Sequence, residues 1–256
     1  MFQPVPIARA MPEVRQVLMG LIKLAIGFSA VLCAAQTHAW GPETKAWSKH
    51  LIVIQGASWT AKLHLEVPGG LDPDFMVPDP DHSVVGVRSF TDLRIPPSSK
   101  AFGYELASLH WAYKRWFWQG VHGGLHLRIS VQQVPEPPGD LREKAVLERF
   151  LTRTHEFNNE RIKHGRFIDP AISILPGTWI EQGGRDWYQI CFRGENANRS
   201  DFLVTTALDG DHRLSVKFNF ISNTGPRYGS DWEAQARGLA TKIFRMIKVE
   251  ISPNLP

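Results

Sequence analysis

Hydrophobic and polar side chains alternate with a period of two in several short segments, the pattern of strands with one buried face. In segment 58–67, a tryptophan, an alanine, two leucines and a valine alternate with polar residues. In segment 125–132, leucine, isoleucine and valine alternate with histidine, arginine, serine and glutamine. Both segments are therefore predicted to be β-strands.

Two hairpins are predicted in the second half of the chain. Segments 178–181 and 187–192 flank the pair Gly183-Gly184, and segments 202–207 and 214–220 flank the turn 209–211, Asp-Gly-Asp. Glycine and aspartate between alternating segments are typical of tight turns. Four strands in this order predict an antiparallel meander.

The period changes to helical spacing in two places. Asp140 has the position of an N-cap before an apolar stripe, which predicts a helix over about 140–155. Ser230 and Glu233 have the spacing of a capping box, which predicts a second helix over 231–247. The expected fold is α+β, with antiparallel β-sheet(s) and hairpins packed by these two main helices, both on one face.

Proline-rich segments suggest how the chain is divided. Segment 134–138 separates a strand- and loop-rich part, 40–134, from a helix–hairpin–hairpin–helix unit, 140–256. The sequence leaves open whether the two parts form one continuous domain. Segment 68–82 is predicted to be an acidic surface loop, because its four prolines cannot pair inside a sheet.

Residues 1–39 have the pattern of a cleavable secretory signal peptide. An apolar stretch at 24–32, too short to span a bilayer, follows three basic residues, and small residues at 37 and 39 favour cleavage before Trp40. The predicted location is the periplasm. Either Met1 or Met11 can be the start. An uncleaved anchor and a lipoprotein attached at Cys33 remain alternatives, although Leu32 disfavours the latter.

Composition narrows the classes of partner. With 256 residues, 43% hydrophobic and 21% charged, the chain is typical of globular proteins. Residues 40–256 contain 26 basic and 24 acidic residues, a formal charge of +2. This near balance argues against a nucleic-acid partner. No stable membrane span is expected after signal cleavage.

Cysteine usage and the search for catalytic motifs are both informative. Cys191 is the one cysteine in 40–256, so no internal disulfide forms there. Its alternating segment predicts a core or inter-strand thiol.

His122 and His126 lie four residues apart in a predicted strand, so their Cα atoms would be about 13 Å apart, which is too far for the two side chains to chelate one metal ion. No short catalytic or phosphate-loop motif occurs, so no catalytic residue, cofactor or metal site is predicted.

Two segments are candidate partner-binding surfaces. The first is the acidic loop, with Asp72, Asp74, Asp79 and Asp81; the alternative is a merely solvated loop. The second is the aromatic segment 110–118, with Trp111, Tyr113, Arg115, Trp116 and Trp118. Trp, Tyr and Arg are the residues that anchor interfaces, but a central strand buried on both faces is an alternative.

The order of elements around the two hairpins resembles that of PsbP-like α+β sandwiches. The overall profile, an export signal followed by a disulfide-free body without a catalytic motif, resembles periplasmic immunity proteins that neutralise type VI secretion effectors such as phospholipases. This resemblance implies an inhibitor that occludes the active site of a secreted toxin, with Asp79 and Asp81 meeting a basic site. The alternatives are an envelope enzyme without a short motif and a lipid-associated envelope component.

Overall fold

The computed structural model describes residues 46–68, 86–87, 93–94, 102–114, 121–165, 171–194, 199–222 and 230–254. The chain divides into two compact units, Met1–Ala39 and Trp40–Pro256, and every described residue belongs to the second. The predictions on residues 1–39 and on the loop after Pro68 therefore lie outside the described residues.

The described part of the chain contains two β-sheets. The strands are β1 (Trp47–Gln55), β2 (Trp59–Pro68), β3 (Gly86–Val87), β4 (Leu93–Arg94), β5 (Phe102–Lys114), β6 (Val121–Gln133), β7 (Ala171–Gln182), β8 (Arg185–Gly194), β9 (Arg199–Ala207), β10 (His212–Ser222) and β11 (Lys248–Pro253). The larger sheet has the order β3-β5-β6-β10-β9-β8-β7, and the smaller has the order β11-β2-β1-β4. Pairing is antiparallel except between β1 and β4. The predicted α+β fold with antiparallel sheets is thus confirmed.

The larger sheet joins the two halves of the sequence. Strand β6, which precedes the proline-rich segment 134–138, pairs with β10 over eleven residues. Both predicted hairpins are present, with turns at Gly183-Gly184 and at 208–211. Strands from before and after segment 134–138 therefore belong to one sheet.

The two helices are α1 (Lys144–Lys163) and α2 (Ser230–Met246). The predicted start of α1 at Asp140 was wrong, because the Asp140 carboxylate accepts hydrogen bonds from the backbone and side chain of Arg142 in a turn before the helix. The Leu141 N–H is meanwhile bonded to the carbonyl of Gly210, which fixes this turn to the β9–β10 hairpin. Among the described residues, no helix is long and apolar enough to cross a membrane.

The helices lie on opposite faces of the larger sheet, which corrects the prediction that both cover one face. Leu147 and Leu151 of α1 share a core with Tyr188, Ile190 and Ala207. The neighbouring residue Trp187 points to the other face, where its ring contacts Phe244 of α2. We call these the α1 face and the α2 face. Because successive strand residues alternate between faces, both sides of β8 can be buried.

The α2 face holds the main core and the smaller sheet. Trp111 of β5 is 1% exposed, and its indole N–H donates to the carbonyl of Pro68 in β2 at 3.3 Å. Helix α2 approaches β6 so closely that a Cβ at Gly123 would lie 2.4 Å from the Trp232 ring. Strand β11 then returns along β2. Trp111 therefore links the two sheets inside the core.

Candidate functional site

An apolar row on the α2 face extends from the core to the sheet edge. Cys191 of β8 is paired with Ile174 of β7 on one side and with Phe202 of β9 on the other. Phe202 is in turn paired with Phe218 of β10, and their ring centroids are 4.7 Å apart. Paired residues in antiparallel strands point to the same face, so these four side chains form one row.

Exposure rises along this row toward the edge. Phe218 is fully buried, Phe202 is half-buried, Cys191 is exposed, and Ile174 is 46% exposed. Helix α2 packs mainly on β2, β6 and β10, with further contacts to Trp187 of β8 and Ser200 of β9, so the helix covers the inner end of the row. We call the outer end, formed by Ile172, Ile174, Cys191, Arg193 and Phe202, the outer patch.

Two arginines, one within the outer patch and one on α2, contribute positive charge to this surface. Arg193 is exposed and is paired in register with Ile172 on β7. On α2, the Arg237 guanidinium lies 4.5 Å from the Phe220 ring centroid and is ion-paired with Glu233. An apolar centre with an arginine-containing rim is typical of surfaces that bind proteins.

The free edge of β7 is partly closed by α1. The side-chain amide of Asn159 donates to the Ser173 carbonyl at 3.1 Å and accepts from the Ser173 N–H at 2.9 Å. These two bonds satisfy the backbone groups with which an added strand would pair. A partner at this position would therefore contact the face of the sheet rather than extend it.

A second candidate site is a polar network on the α1 face of β5, β6 and β10. The Ser108 hydroxyl lies 3.0 Å from Nε2 of His126, and Nδ1 of the same ring lies 3.4 Å from the amide nitrogen of Asn219. The His110 ring is stacked on His126, with centroids 3.7 Å apart and planes inclined by 17°. This series of contacts, from a serine hydroxyl to a histidine ring to an amide, resembles that of a nucleophile, its base and an orienting group.

Electrostatics keep this network from accumulating positive charge. Burial, aided by the charge of Arg128, lowers the pKa of His110, and Glu105 only partly offsets this effect. Arg128 itself is ion-paired with Glu105. Two stacked imidazoles beside a guanidinium repel each other strongly if both are protonated. The neutral form of His110 is therefore favoured near neutral pH.

Another buried histidine lies beneath α1. Nδ1 of His155 is 3.0 Å from the Ser173 hydroxyl, and the ring contacts Phe192 edge-on. Burial, followed by the charges of Arg213 and Lys217, lowers the pKa of His155 to about 4. His155 therefore packs as a neutral core residue.

The β9–β10 turn brings together Asp209, Asp211 and His212, whose potential ligand atoms lie within 4.8 Å of one another. The sequence did not predict this group as a metal site. Burial alone would lower the pKa of His212, but the hydrogen bonds and charges of Asp209 and Asp211 outweigh it and raise that pKa. Because Asp209 also accepts the backbone N–H groups of residues 211 and 212, the cluster serves to hold the turn.

Two predicted partner-binding residues are in the core. Trp111 and Tyr113 are 1% and 0% exposed, which excludes them from a binding surface and corrects that prediction. Other predicted positions lie outside the residues whose side chains are described, namely Asp72, Asp74, Asp79, Asp81, Arg115, Trp116 and Trp118. Nothing in the described part of the chain tests these positions, which remain predicted partner-binding residues.

The prediction of a core or inter-strand thiol at Cys191 was wrong as to the core, although Cys191 does lie in the sheet between β7 and β9. Trp187, Tyr188 and Ile190 in the same strand are buried, but Cys191 is exposed because its part of the α2 face lies beyond the helix. The alternation of Ile172 and Ile174 with Ser173 signals a strand, yet no local pattern reveals which apolar residues a distant helix leaves uncovered.

Comparisons with known proteins assign no family. No protein-family model matches the chain, and no curated protein matches it. A crystal structure of LpqN, described as involved in cell envelope biogenesis of Mycobacterium tuberculosis, matches with a TM-score of 0.37 and 10% identity, covering 80% of this chain and 92% of that chain. A likeness of this extent assigns neither a substrate nor a partner to the present protein.

Proposed function

We propose that this chain is an exported binding protein that inhibits a secreted protein by covering part of its surface, and that the outer patch is its docking site. The proposal rests chiefly on the apolar row that leaves the core and ends at Ile174, 46% exposed, beside the exposed Cys191. Removing such side chains from water on binding would stabilise a complex by about 25 cal/mol for each Å² of apolar surface.

Within this class, the profile of the sequence favours an immunity protein that neutralises a type VI secretion toxin such as a phospholipase. The exposed Arg193 within the outer patch matches a partner surface that has an apolar centre and an acidic rim. The acidic loop, with Asp79 and Asp81, would then meet the basic active-site mouth of the same toxin. Occlusion requires no catalytic group on this chain.

Ile174→Glu tests the docking site. We expect this change to weaken binding of the partner roughly 10- to 100-fold, because it places a charge at the centre of an apolar contact. Leu51→Glu is the matched control, since Leu51 is 50% exposed but belongs to β1 of the smaller sheet. Both changes are at exposed positions, where a substitution alters stability by about 0.5 kcal/mol or less.

The measurement is a quantitative affinity capture with the wild type and both variants, each expressed from its full sequence and purified after export. The baits are presented to the envelope and secreted proteins of the source organism. A toxin-domain protein recovered in stoichiometric amount by the wild type and Leu51→Glu, but not by Ile174→Glu, is the expected result. Equal recovery by all three baits would reject the outer patch.

The polar network favours one alternative, an envelope hydrolase. In that reaction the Ser108 oxygen would add to an ester carbonyl while its proton passes to Nε2 of His126, which would then protonate the departing alcohol. A rotation of the Asn219 amide would present its oxygen to the Nδ1 proton of His126. Ser108, however, is only 7% exposed.

A fluorophosphonate probe distinguishes this alternative from the inhibitor. We expect the probe to label the wild type no more strongly than it labels Ser108→Ala, because the buried hydroxyl of Ser108 cannot reach the phosphorus atom of the probe. Ser130→Ala is the matched control, since Ser130 lies on the same face of the adjacent strand. Labelling of the wild type and Ser130→Ala, but not of Ser108→Ala, would establish an enzyme.

A further inference from the structure

A cleft lies between the start of α1 and the β7–β8 hairpin. It has a volume of about 270 Å³, and its lining includes Arg142, Lys144, Trp179, Gly184, Arg185 and Asp186. These residues lie on the α1 face or at the hairpin turn, apart from the outer patch. The cleft is therefore independent of the proposed docking site.

Arg185 is a half-buried cation without an acidic partner. Its guanidinium donates to the carbonyl of Ala207, and its Nε is buried and makes no hydrogen bond. Within the described part of the chain, no carboxylate lies within 4 Å of Arg185. Burial lowers the pKa of Arg185, but a guanidinium keeps its charge. Burying an uncompensated charge is costly, so an anion in the cleft would stabilise this arrangement.

Two further cations lie beside Arg185 in the lining. Arg142 is ion-paired with Asp140, and Lys144 is ion-paired with Asp186 at 2.8 Å. The lining thus contains three cations and one acid.

The walls of the cleft can also contact the uncharged part of a ligand that has an anionic group. The Trp179 indole is fixed by a hydrogen bond to Glu148 at 2.9 Å, and the Lys144 ammonium lies 5.4 Å from the ring centroid. Leu147 adds apolar surface on the helix side. At Gly184, a Cβ would meet nothing within 4 Å, so the hairpin side is open. The cleft can therefore bind an anionic group together with the apolar group attached to it.

We infer that this cleft binds a phosphate-type oxyanion, held by Arg185 and Lys144 with Trp179 against the group that carries it. Since Arg142 and Lys144 are each ion-paired with an aspartate, the uncompensated positive charge in the lining is that of Arg185, and its guanidinium suits the paired oxygens of a phosphate. The phosphate can belong to a free phosphate ion or to a lipid headgroup. The inference is independent of the proposed inhibitory function.

The test uses two probes on the exported protein. Inorganic phosphate is titrated by calorimetry at constant ionic strength, and vesicles of phosphatidylglycerol are compared with vesicles of phosphatidylcholine by sedimentation. We expect saturable binding of phosphate, which Arg185→Gln weakens roughly 10- to 100-fold because charge-assisted hydrogen bonds are lost. Arg193→Gln, an exposed arginine on the same strand, is the matched control and should change binding less than two-fold.

Lys144→Gln provides a second variant in case Arg185→Gln does not fold, since the Lys144 side chain is 54% exposed. It should weaken phosphate binding roughly three- to ten-fold. If the wild type sediments with phosphatidylglycerol vesicles and Arg185→Gln or Lys144→Gln does not, the ligand is a lipid headgroup. If the wild type binds inorganic phosphate but does not sediment with vesicles, the ligand is the free ion. Absence of binding to both probes, or binding that neither variant alters, would overturn the inference.

Discussion

Trp111→Ala is expected to lower the free energy of unfolding by about 3–5 kcal/mol, the usual cost of deleting a buried tryptophan. Trp111 is 1% exposed, and the change removes both its packing between the two sheets and its hydrogen bond to Pro68. Native domains are stable by only about 5–15 kcal/mol, so this single change should consume a large fraction of the total. Urea unfolding followed by tryptophan fluorescence and circular dichroism measures the effect.

Two variants provide the comparison for Trp111→Ala. Trp111→Phe keeps most of the packing and loses the indole N–H, so we expect a loss of about 1–2 kcal/mol. Phe157→Ala removes an aromatic ring that is 63% exposed and should change stability by about 0.5 kcal/mol or less. If Trp111→Ala proved as stable as Phe157→Ala, the assignment of Trp111 to the core would be wrong.

The second large effect is a loss of stability at acid pH caused by His155. The folded-state pKa of His155 is about 4, whereas an unfolded histidine titrates near 6.5. Below pH 6.5 the unfolded chain therefore binds a proton that the folded chain excludes, and stability is lost as pH falls from 6.5 toward 4. At pH 4.5 the expected loss from this residue is about 2–3 kcal/mol relative to pH 7.5.

His155→Gln isolates this contribution from that of the other titrating groups. We expect the difference in unfolding free energy between pH 7.5 and pH 4.5 to shrink by about 2–3 kcal/mol in this variant. His164→Gln, an exposed histidine just after α1, is the control and should keep the wild-type difference. His212, whose pKa is raised, acts in the opposite sense, because its stabilising contribution is lost as pH rises. An unchanged pH dependence in His155→Gln would contradict a buried neutral His155.

The strands of the fold were predictable where alternation and a turn occur together. Segment 58–67 corresponds to β2, and the glycine pair at 183–184 marks the β7–β8 hairpin. Strand β11 was missed, since its six residues follow α2 directly and pair with β2, nearly 190 positions earlier in the sequence. Pairing between such distant segments is set by tertiary packing, which local periodicity does not record.

The placement of the helices and of the candidate sites required the structure. An apolar stripe shows that a helix must be covered, but it does not specify which face of a sheet covers it, so the prediction that both helices share one face was wrong. For the same reason, Ile174 and Phe218 are indistinguishable in the sequence, although α2 covers only one end of their row. The aromatic segment 110–118 was conspicuous in composition, yet Trp111 and Tyr113 serve the core.

The most direct test of the proposed inhibitory role is a titration of the captured partner's own activity with increasing amounts of this protein. Vesicle hydrolysis is the assay if the partner is a phospholipase. The wild type and Leu51→Glu should abolish the activity near one molecule of inhibitor per partner, while Ile174→Glu should require roughly 10- to 100-fold more. A partner that stays fully active with excess wild-type protein bound would contradict inhibition.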